Sequence, residues 1–150
     1  MLEFINAGLI GYGYAGKTLH APLLNSIPGI RLHAIASRDS SKVKCDWPDA
    51  THYATPEAML AAPDIDLVVI ATPNDTHFPL AKAALLAGKH VVVDKPFTLS
   101  QQEAKELIAL AHAQDLQLSV FHNRRWDADF LTLRHLLAKG ELGEVLHFES

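Results

Sequence analysis

Residues 11–18 read GYGYAGKT and directly follow the apolar run FINAGLI. The glycines Gly11, Gly13 and Gly16 have the G-x-G-x-x-G spacing of a dinucleotide-binding turn between a strand and a helix. The same stretch has the G-x-x-x-x-G-K-T spacing of a P-loop, in which Lys17-Thr18 would contact a nucleoside triphosphate and its magnesium ion. The first interpretation implies a hydride-transfer cofactor, and the second implies ATP or GTP.

Apolar runs and helix signals alternate on both sides of this turn. The aliphatic runs IDLVVIAT (residues 65–72) and HVVVD (residues 90–94) are typical of strands that are covered on both faces. Pro22 is expected to kink or interrupt the first helix, and the polar segment RDSSK (residues 38–42) is expected to be a loop. Thr55 is expected to cap one helix, Asn74 or Asp75 to cap the next, and Ser100 with Glu103 to form a capping box. Strands that alternate with helices predict an α/β fold, a doubly wound parallel sheet of the Rossmann type.

The pattern changes near residue 123. The segment EVLHFES (residues 144–150) alternates apolar and polar residues, which is typical of a half-exposed strand in a different kind of sheet. We therefore expect residues 1–122 to form a nucleotide-binding Rossmann domain. Residues 123–150 are expected to form the first helix and strand of an α+β second domain, which carries substrate and dimer contacts.

Composition narrows the function classes. The chain has 150 residues and a formal net charge of −4, with no basic block, so nucleic acid is not expected as a partner. No apolar run is long enough to cross a membrane, and Cys45 is the only cysteine, which together predict a cytoplasmic protein. The nine histidines show no tight ligand spacing, and no metal is predicted.

The end of the second strand helps to distinguish the two phosphate loops. A dinucleotide site needs a residue there that reads the ribose, and NAD sites usually have an acid. Here Ser37 and Arg38 stand at that place, a hydroxyl and a guanidinium that suit the 2′-phosphate of NADP. Asp39 is near enough to keep NAD possible. Asp94 is placed to serve as the magnesium acid of a P-loop protein, so that alternative remains open although the dinucleotide is favoured.

Four further motifs occur at characteristic spacings: TPNDTH (residues 72–77), AGKHV (residues 87–91), DKP (residues 94–96) and NRRWD (residues 123–127). Together with the glycine turn, they make the whole chain resemble the glucose–fructose oxidoreductase/inositol dehydrogenase family, also called Gfo/Idh/MocA. Within that family the chain is most similar to NADP-dependent members of the scyllo-inositol dehydrogenase type. The resemblance implies a Rossmann domain followed by a domain with a large, mostly antiparallel sheet.

The resemblance also implies site residues. Lys95 matches the lysine of the family's E-K-P motif and is the expected catalytic group, with Asp94 beside it in place of the usual glutamate. Substrate contacts are expected from Lys95, His122 and Asn123. The cofactor is expected to be NADP, with NAD possible. Its expected binding residues are Gly11, Tyr12, Gly13, Tyr14, Ala15, Gly16, Ser37, Arg38, Thr72, Pro73, Asn74, His77, Asp94, Lys95, Arg124 and Trp126.

The implied activity is hydride transfer between the nicotinamide and a sugar, inositol or related polyol. Family members are usually about twice as long, and their D-x-x-x-H motif, whose histidine usually serves as acid/base, is not found here. We therefore expect this chain to be a piece of a longer enzyme that forms a homo-oligomer through the sheet of its second domain. A non-catalytic dinucleotide-binding regulator on the same scaffold is the alternative.

Overall fold

The structure, a computed structural model, describes residues 4–149. Six strands pair in parallel into one sheet. The strands are β1 (Ile5–Ile10), β2 (Ile30–Ala36), β3 (Thr51–Tyr53), β4 (Leu67–Ile70), β5 (His90–Asp94) and β6 (Leu118–Phe121). Their spatial order is β3-β2-β1-β4-β5-β6, so the direction in which the chain builds the sheet reverses between β1 and β4. Open sheets of this kind bind their ligands at such a reversal, outside the carboxyl ends of the strands.

Helices cover both faces of the sheet. They are α1 (Ala21–Ser26), α2 (Ser40–Asp46), α3 (Pro56–Leu60), α4 (His77–Leu86), α5 (Gln101–Ala113) and α6 (Ala128–Ala138). On one face, Met59, Leu85 and Leu107 from three of the helices pack against the sheet. On the other face, Leu24 of α1 and Val43 of α2 do so. The predicted doubly wound parallel sheet is therefore confirmed.

The first helix is interrupted as predicted. A π-helical turn, Gly16–His20, precedes α1, and Pro22 lies in the first turn of α1. The amide of Ala21 donates to the carbonyl of Gly16, five residues back. Proline has no N–H to continue the α-helical ladder, and its ring clashes with the carbonyl four residues back, so the wider turn accommodates it.

The segment RDSSK is not a loop, contrary to the prediction. Asp39 caps α2, and its Oδ1 accepts a hydrogen bond from the amide of Lys42 at 3.1 Å. The sequence D-S-S-K has an aspartate in the N-cap position, but the helix is short and polar, and only Val43 on it is fully buried. A helix with so small an apolar face leaves a weak periodic signal.

Two caps that the sequence indicates are present. Ser100 and Glu103 form the reciprocal capping box of α5, and the Thr55 hydroxyl caps α3. The expected cap of α4 by Asn74 or Asp75 is wrong. The chain makes a 3₁₀ turn over Asn74–Thr76 instead, closed by the Thr76 amide on the carbonyl of Pro73, and α4 starts at His77 without a side-chain cap.

The last part of the described chain differs from the expectation. Helix α6 forms, and Gly140 follows it with a φ of +71°. No strand is present over residues 144–149, and Ser150 of the expected strand lies outside the described residues. A half-exposed strand needs a neighbouring strand to complete its hydrogen bonds, and the sheet described here ends at β6. The boundary near residue 123 stays a prediction.

Candidate functional site

A cleft of about 750 Å³ opens at the reversal point of the sheet. Its floor is formed by the chain segments that leave β1, β2 and β4, and its side walls by α3 and α4. The predicted residues that line it are Gly11, Tyr12, Gly13, Ser37, Arg38, Thr72 and Pro73. Ligand sites in proteins usually enclose about 300 to 1,000 Å³, so this cleft is large enough for a small organic ligand or cofactor.

The three glycines of the turn differ in the space around their Cα atoms. Gly11 has a φ of +96°, and a Cβ there would lie 2.5 Å from the carbonyl oxygen of Ala71. A Cβ on Gly16 would lie 2.0 Å from the carbonyl oxygen of Gly11. A Cβ on Gly13 would meet nothing within 4 Å. The first and third glycines therefore serve packing, whereas the second leaves open space beside a cleft at the start of a helix.

Open space at Gly13 fits a pyrophosphate. The amide of Lys17 donates to the carbonyl of Gly13 at 2.9 Å, so the helical turns begin here. The first amides of a helix lack partners within it and carry its positive dipole end, which favours bound anions.

Replacing Gly13 by alanine tests this assignment. We expect Gly13→Ala to fold with unchanged or slightly higher stability, since no atom opposes its Cβ. We expect its dissociation constant for a nicotinamide dinucleotide to rise by about tenfold or more, which corresponds to about 1.4 kcal/mol. Fluorescence titration of reduced cofactor measures the affinity, and thermal unfolding measures the stability. Wild-type affinity in this variant would place the pyrophosphate elsewhere.

The P-loop interpretation is not supported by the position of Lys17. Its ammonium lies 2.6 Å from Oδ2 of Asp46, at the end of α2, and Lys17 does not line the cleft. The Tyr12 hydroxyl donates to the same carboxylate at 2.9 Å. Burial and this hydrogen bond raise the pKa of Tyr12 to about 12, so the phenol remains a donor at neutral pH. The Lys17 ammonium therefore joins the glycine turn to α2 through an ion pair, and it does not face the cleft.

Ser37, Arg38 and Asp39 lie together where β2 ends, on the cleft wall. The Asp39 carboxylate is occupied by its own helix: Oδ1 accepts from the hydroxyl of Ser41 at 2.6 Å and from the amide of Lys42. These bonds hold the pKa of Asp39 below its usual value, with the Ser41 hydroxyl as the largest cause. Within residues 4–149, no hydrogen bond or ion pair engages the guanidinium of Arg38, which is exposed.

Apolar residues complete the cleft, and the sequence prediction missed them. Leu60 of α3 and three residues of α4, Pro79, Leu80 and Ala83, line the wall opposite the glycine turn. An apolar slot of this kind suits the flat face of a nucleobase. Apolar residues on helices are usually core residues, so no signal in the sequence separates the few that face a cleft from those that face the sheet.

Asp94, Lys95 and Pro96 leave the carboxyl end of β5, one strand beyond β4. They do not line the cleft, but they adjoin it, because Ile70 of β4 is paired with Val93 of β5. Asp94 Oδ1 accepts from the Lys95 amide at 2.7 Å, and the Lys95 side chain is exposed. The Lys95–Pro96 peptide bond is cis.

Two buried histidines contact this turn. His77 is 1% exposed, and its Nδ1 and Nε2 lie 2.7 Å from the carbonyl oxygen of Pro96 and 2.9 Å from that of Thr72. The ring therefore joins the Pro96 turn to the Thr72 segment of the cleft, and its nitrogens are not free for a ligand. His20 is 2% exposed, and its Nε2 lies 3.3 Å from Oδ2 of Asp94.

The remaining predicted residues are not gathered at the cleft. Tyr14 is 83% exposed, and neither Ala15 nor Asn74 lines the cleft. Asn123, Arg125 and Trp126, beyond β6, line a second, smaller hollow of about 380 Å³ together with His122. Arg124 does not line it and donates instead to Asp127 at 2.8 Å. These residues lie two strands away from β4.

The observed geometry fits a dinucleotide. The glycine turn leaves room at Gly13, Arg38 at the end of β2 has no partner among the described residues, and an apolar slot lies between α3 and α4. Among residues 4–149, no three His, Cys, Asp or Glu side chains are grouped so that they could hold a metal ion. In the same part of the chain, no helix has the length and apolar character needed to cross a membrane.

Known proteins resemble the chain over nearly its whole length. The uncharacterised oxidoreductase YdgJ of Escherichia coli K12 is 63% identical over 150 residues, covering all of this chain and 43% of YdgJ. The NADP⁺-dependent scyllo-inositol 2-dehydrogenase IolW of Bacillus subtilis 168 is 38% identical over 144 residues, covering 96% of this chain and 40% of IolW. The chain thus spans about two fifths of the length of these relatives.

Solved structures agree with the sequence matches. The crystal structure of a candidate oxidoreductase from Klebsiella pneumoniae superimposes with a TM-score of 0.96 at 63% identity, covering 99% of this chain and 43% of that one. The pattern of the oxidoreductase family with an NAD-binding Rossmann fold matches residues 5–122, which is more than half of the chain. The chain therefore belongs to the Gfo/Idh/MocA family of oxidoreductases.

Proposed function

We propose that the protein is an NADP(H)-dependent oxidoreductase that transfers a hydride between the nicotinamide and a sugar, inositol or related polyol. The observation that carries the proposal is the connection of two sites through one side chain. His77 joins the Thr72 segment, which lines the cleft, to the Pro96 turn, which presents Lys95. This link supports a cofactor in the cleft that lies close to Lys95, the exposed cation of that turn.

The charges at the end of β2 support NADP over NAD. An NAD site needs a carboxylate that is free to accept from the ribose hydroxyls. Asp39 is already bonded to Ser41 and Lys42, whereas the Arg38 guanidinium has no partner among the described residues. A 2′-phosphate provides the anion that Arg38 lacks, and Ser37 adds a hydroxyl donor beside it.

Replacing Arg38 by alanine tests the cofactor. A hydrogen bond to a charged group contributes about 1.5 to 3 kcal/mol, so we expect the dissociation constant of NADPH to rise by about 10- to 150-fold. NADH, which has no 2′-phosphate, is expected to change by less than about threefold. Fluorescence titration of the full-length protein with both cofactors measures this.

Lys44→Ala is the matched control for Arg38→Ala. It removes an equal charge from the exposed side of α2, outside the cleft, so NADPH affinity is expected to stay near that of the wild type. Equal losses of NADPH and NADH in Arg38→Ala would contradict the 2′-phosphate contact. Equal wild-type affinities for the two cofactors would remove the preference for NADP.

The chemistry we assign to the chain's own residues is centred on Lys95. A bound nicotinamide supplies or accepts the hydride. The Lys95 ammonium then hydrogen-bonds to the substrate oxygen and stabilises the negative charge that develops there as the carbonyl and the carbinol interconvert. Asp94 accepts from the Lys95 amide and so fixes where the lysine leaves β5. Proton transfer with solvent or with a second group completes the exchange at that oxygen.

The substrate class is inferred from a relative and from the polar residues beyond β6. IolW, which aligns over nearly this whole chain, is a scyllo-inositol 2-dehydrogenase. A polyol needs several fixed hydrogen-bond partners, and we assign His122 and Asn123 to that role. Initial rates with NADP⁺ against a panel of inositols and aldoses test the class. Oxidation of simple aliphatic alcohols in preference to every polyol would contradict it.

A further inference from the structure

The turn that carries Lys95 lies between two buried histidines from different parts of the chain. His20 ends the π-helical turn that follows the glycine loop, and His77 starts α4. One faces the side chain of Asp94, and the other faces the carbonyl of Pro96, the residues on either side of Lys95. Neither histidine lines the cleft, although His77 contacts the carbonyl of Thr72, which does.

His20 is buried, so the position of its ring nitrogen near Asp94 is held by the surrounding core. Its Nε2 has no aligned hydrogen-bond partner among the described residues, although it lies 3.3 Å from Asp94 Oδ2. A buried polar nitrogen without a partner is unfavourable, so an accidental polar residue is not expected here. The ring also packs on Phe121 of β6, with 4.3 Å between ring centroids.

The neutral imidazole suits this contact. Burial lowers the pKa of His20, and the nearby Asp94 carboxylate opposes that shift only in part. A neutral ring carries one N–H, and a carboxylate facing Nε2 favours the form in which that nitrogen is protonated. His20 is therefore suited to donate to Asp94 and unsuited to carry a positive charge beside it.

The contacts of His77 complete the arrangement. Both of its partners are carbonyl oxygens, which only accept hydrogen bonds, and a neutral ring has a single N–H to donate. We assign that proton to Nδ1, which makes the shorter of the two contacts, 2.7 Å to Pro96 against 2.9 Å to Thr72. His77 is the first residue of α4 and is buried, so its ring has a fixed position. Its Nδ1 therefore holds the Pro96 carbonyl in place.

We propose that His20 and His77 are positioning residues that hold the Asp94–Lys95–Pro96 turn from its two sides and so aim the Lys95 ammonium at the substrate oxygen. This inference rests on the proposed function, in which Lys95 acts on that oxygen. The alternative is that both histidines only fill space in the core.

Asparagine and glutamine variants separate the two roles, because their amide nitrogens stand in for different ring nitrogens. The asparagine amide occupies roughly the place of Nδ1, and the glutamine amide roughly that of Nε2. His20 contacts Asp94 through Nε2, so His20→Gln keeps the contact and His20→Asn loses it. His77 contacts Pro96 through Nδ1, so His77→Asn keeps the hold on the turn and His77→Gln loses it.

We expect opposite orders at the two sites. In the full-length protein, kcat should fall by about tenfold or more in His20→Asn and His77→Gln and stay within about threefold in His20→Gln and His77→Asn. The dissociation constant of NADPH should stay within about threefold in both His20 variants, since His20 does not line the cleft. The same order in both pairs, set by side-chain size, would overturn the proposal, as would a loss of NADPH binding with unchanged kcat per bound cofactor.

Hydrogen exchange gives a readout that does not depend on turnover. The Lys95 amide is bonded to Asp94, so we expect it to exchange faster in His20→Asn and His77→Gln than in their partner variants. The Ala58 amide, bonded to Thr55 on α3, is the internal control and should not change. Unchanged exchange at Lys95 would overturn the proposal. If the wild type turns over no polyol, the proposed function fails, and the exchange rates still decide whether the histidines hold the turn.

Discussion

Lys95→Met is expected to lower kcat by about 100- to 1,000-fold and to leave the dissociation constant of NADPH within about threefold of the wild type. Methionine keeps the length of the side chain and removes the ammonium, so the charge that develops on the substrate oxygen loses its hydrogen-bond donor. The size of the effect is that of removing one donor from a preorganised oxyanion site. Steady-state kinetics with a polyol substrate and NADP⁺ measure kcat, and fluorescence titration measures cofactor affinity.

Lys105→Met is the matched control. Lys105 is exposed on α5, away from the cleft and from the Lys95 turn, so the same chemical change there should leave both kcat and affinity near wild type. Unchanged turnover in Lys95→Met would remove the lysine from the chemistry. A wild-type protein that binds NADPH tightly and turns over no polyol would favour the alternative, a dinucleotide-binding regulator.

Gly16→Ala destabilises the fold by about 3 kcal/mol or more, because its Cβ would lie 2.0 Å from the backbone carbonyl oxygen of Gly11. The obstacle is main chain and not the end of a flexible side chain, so β1 and the helical turns must separate to relieve it. Urea unfolding measures the loss. Gly13→Ala in the same loop is the control, with open space at its Cβ, and equal unfolding midpoints in the two variants would contradict the packing role of Gly16.

Strong local patterns predicted most of the fold. The aliphatic run of β4 and the capping box of α5 are local signals, and both elements formed as these signals predicted. Weak or competing signals gave the errors. Helix α2 buries fully only Val43, and the residue expected to cap α4, Asn74, lies in a 3₁₀ turn set by the backbone after Pro73. The alternating pattern of residues 144–149 predicted a strand, and no strand among the described residues pairs with them.

The candidate site was predictable where chemistry lies in the main chain or at strand ends. Gly11, Gly13, Ser37 and Arg38 line the cleft, and their role in binding the cofactor stays a prediction. The sequence cannot report which face of a helix meets a cleft, and this is why Leu80 was missed. Nor does it show that a polar side chain is enclosed: His77 belongs to a recognisable motif, yet its contacts with two backbone carbonyls depend on the distance between β4 and β5.

The π-helical turn before α1 determines how the chain would respond to the deletion of one residue there. A π turn accommodates one residue more than an α turn would over the same rise, so it shifts the following residues by about 100° around the axis. Deleting one residue between Gly16 and His20 would let the ladder regularise, with Ala21 and Leu24 still seated in the core. His20 lies inside the widened turn, so the change from a π to an α turn shifts its ring relative to Asp94, and such a chain is expected to keep its core and weaken that contact.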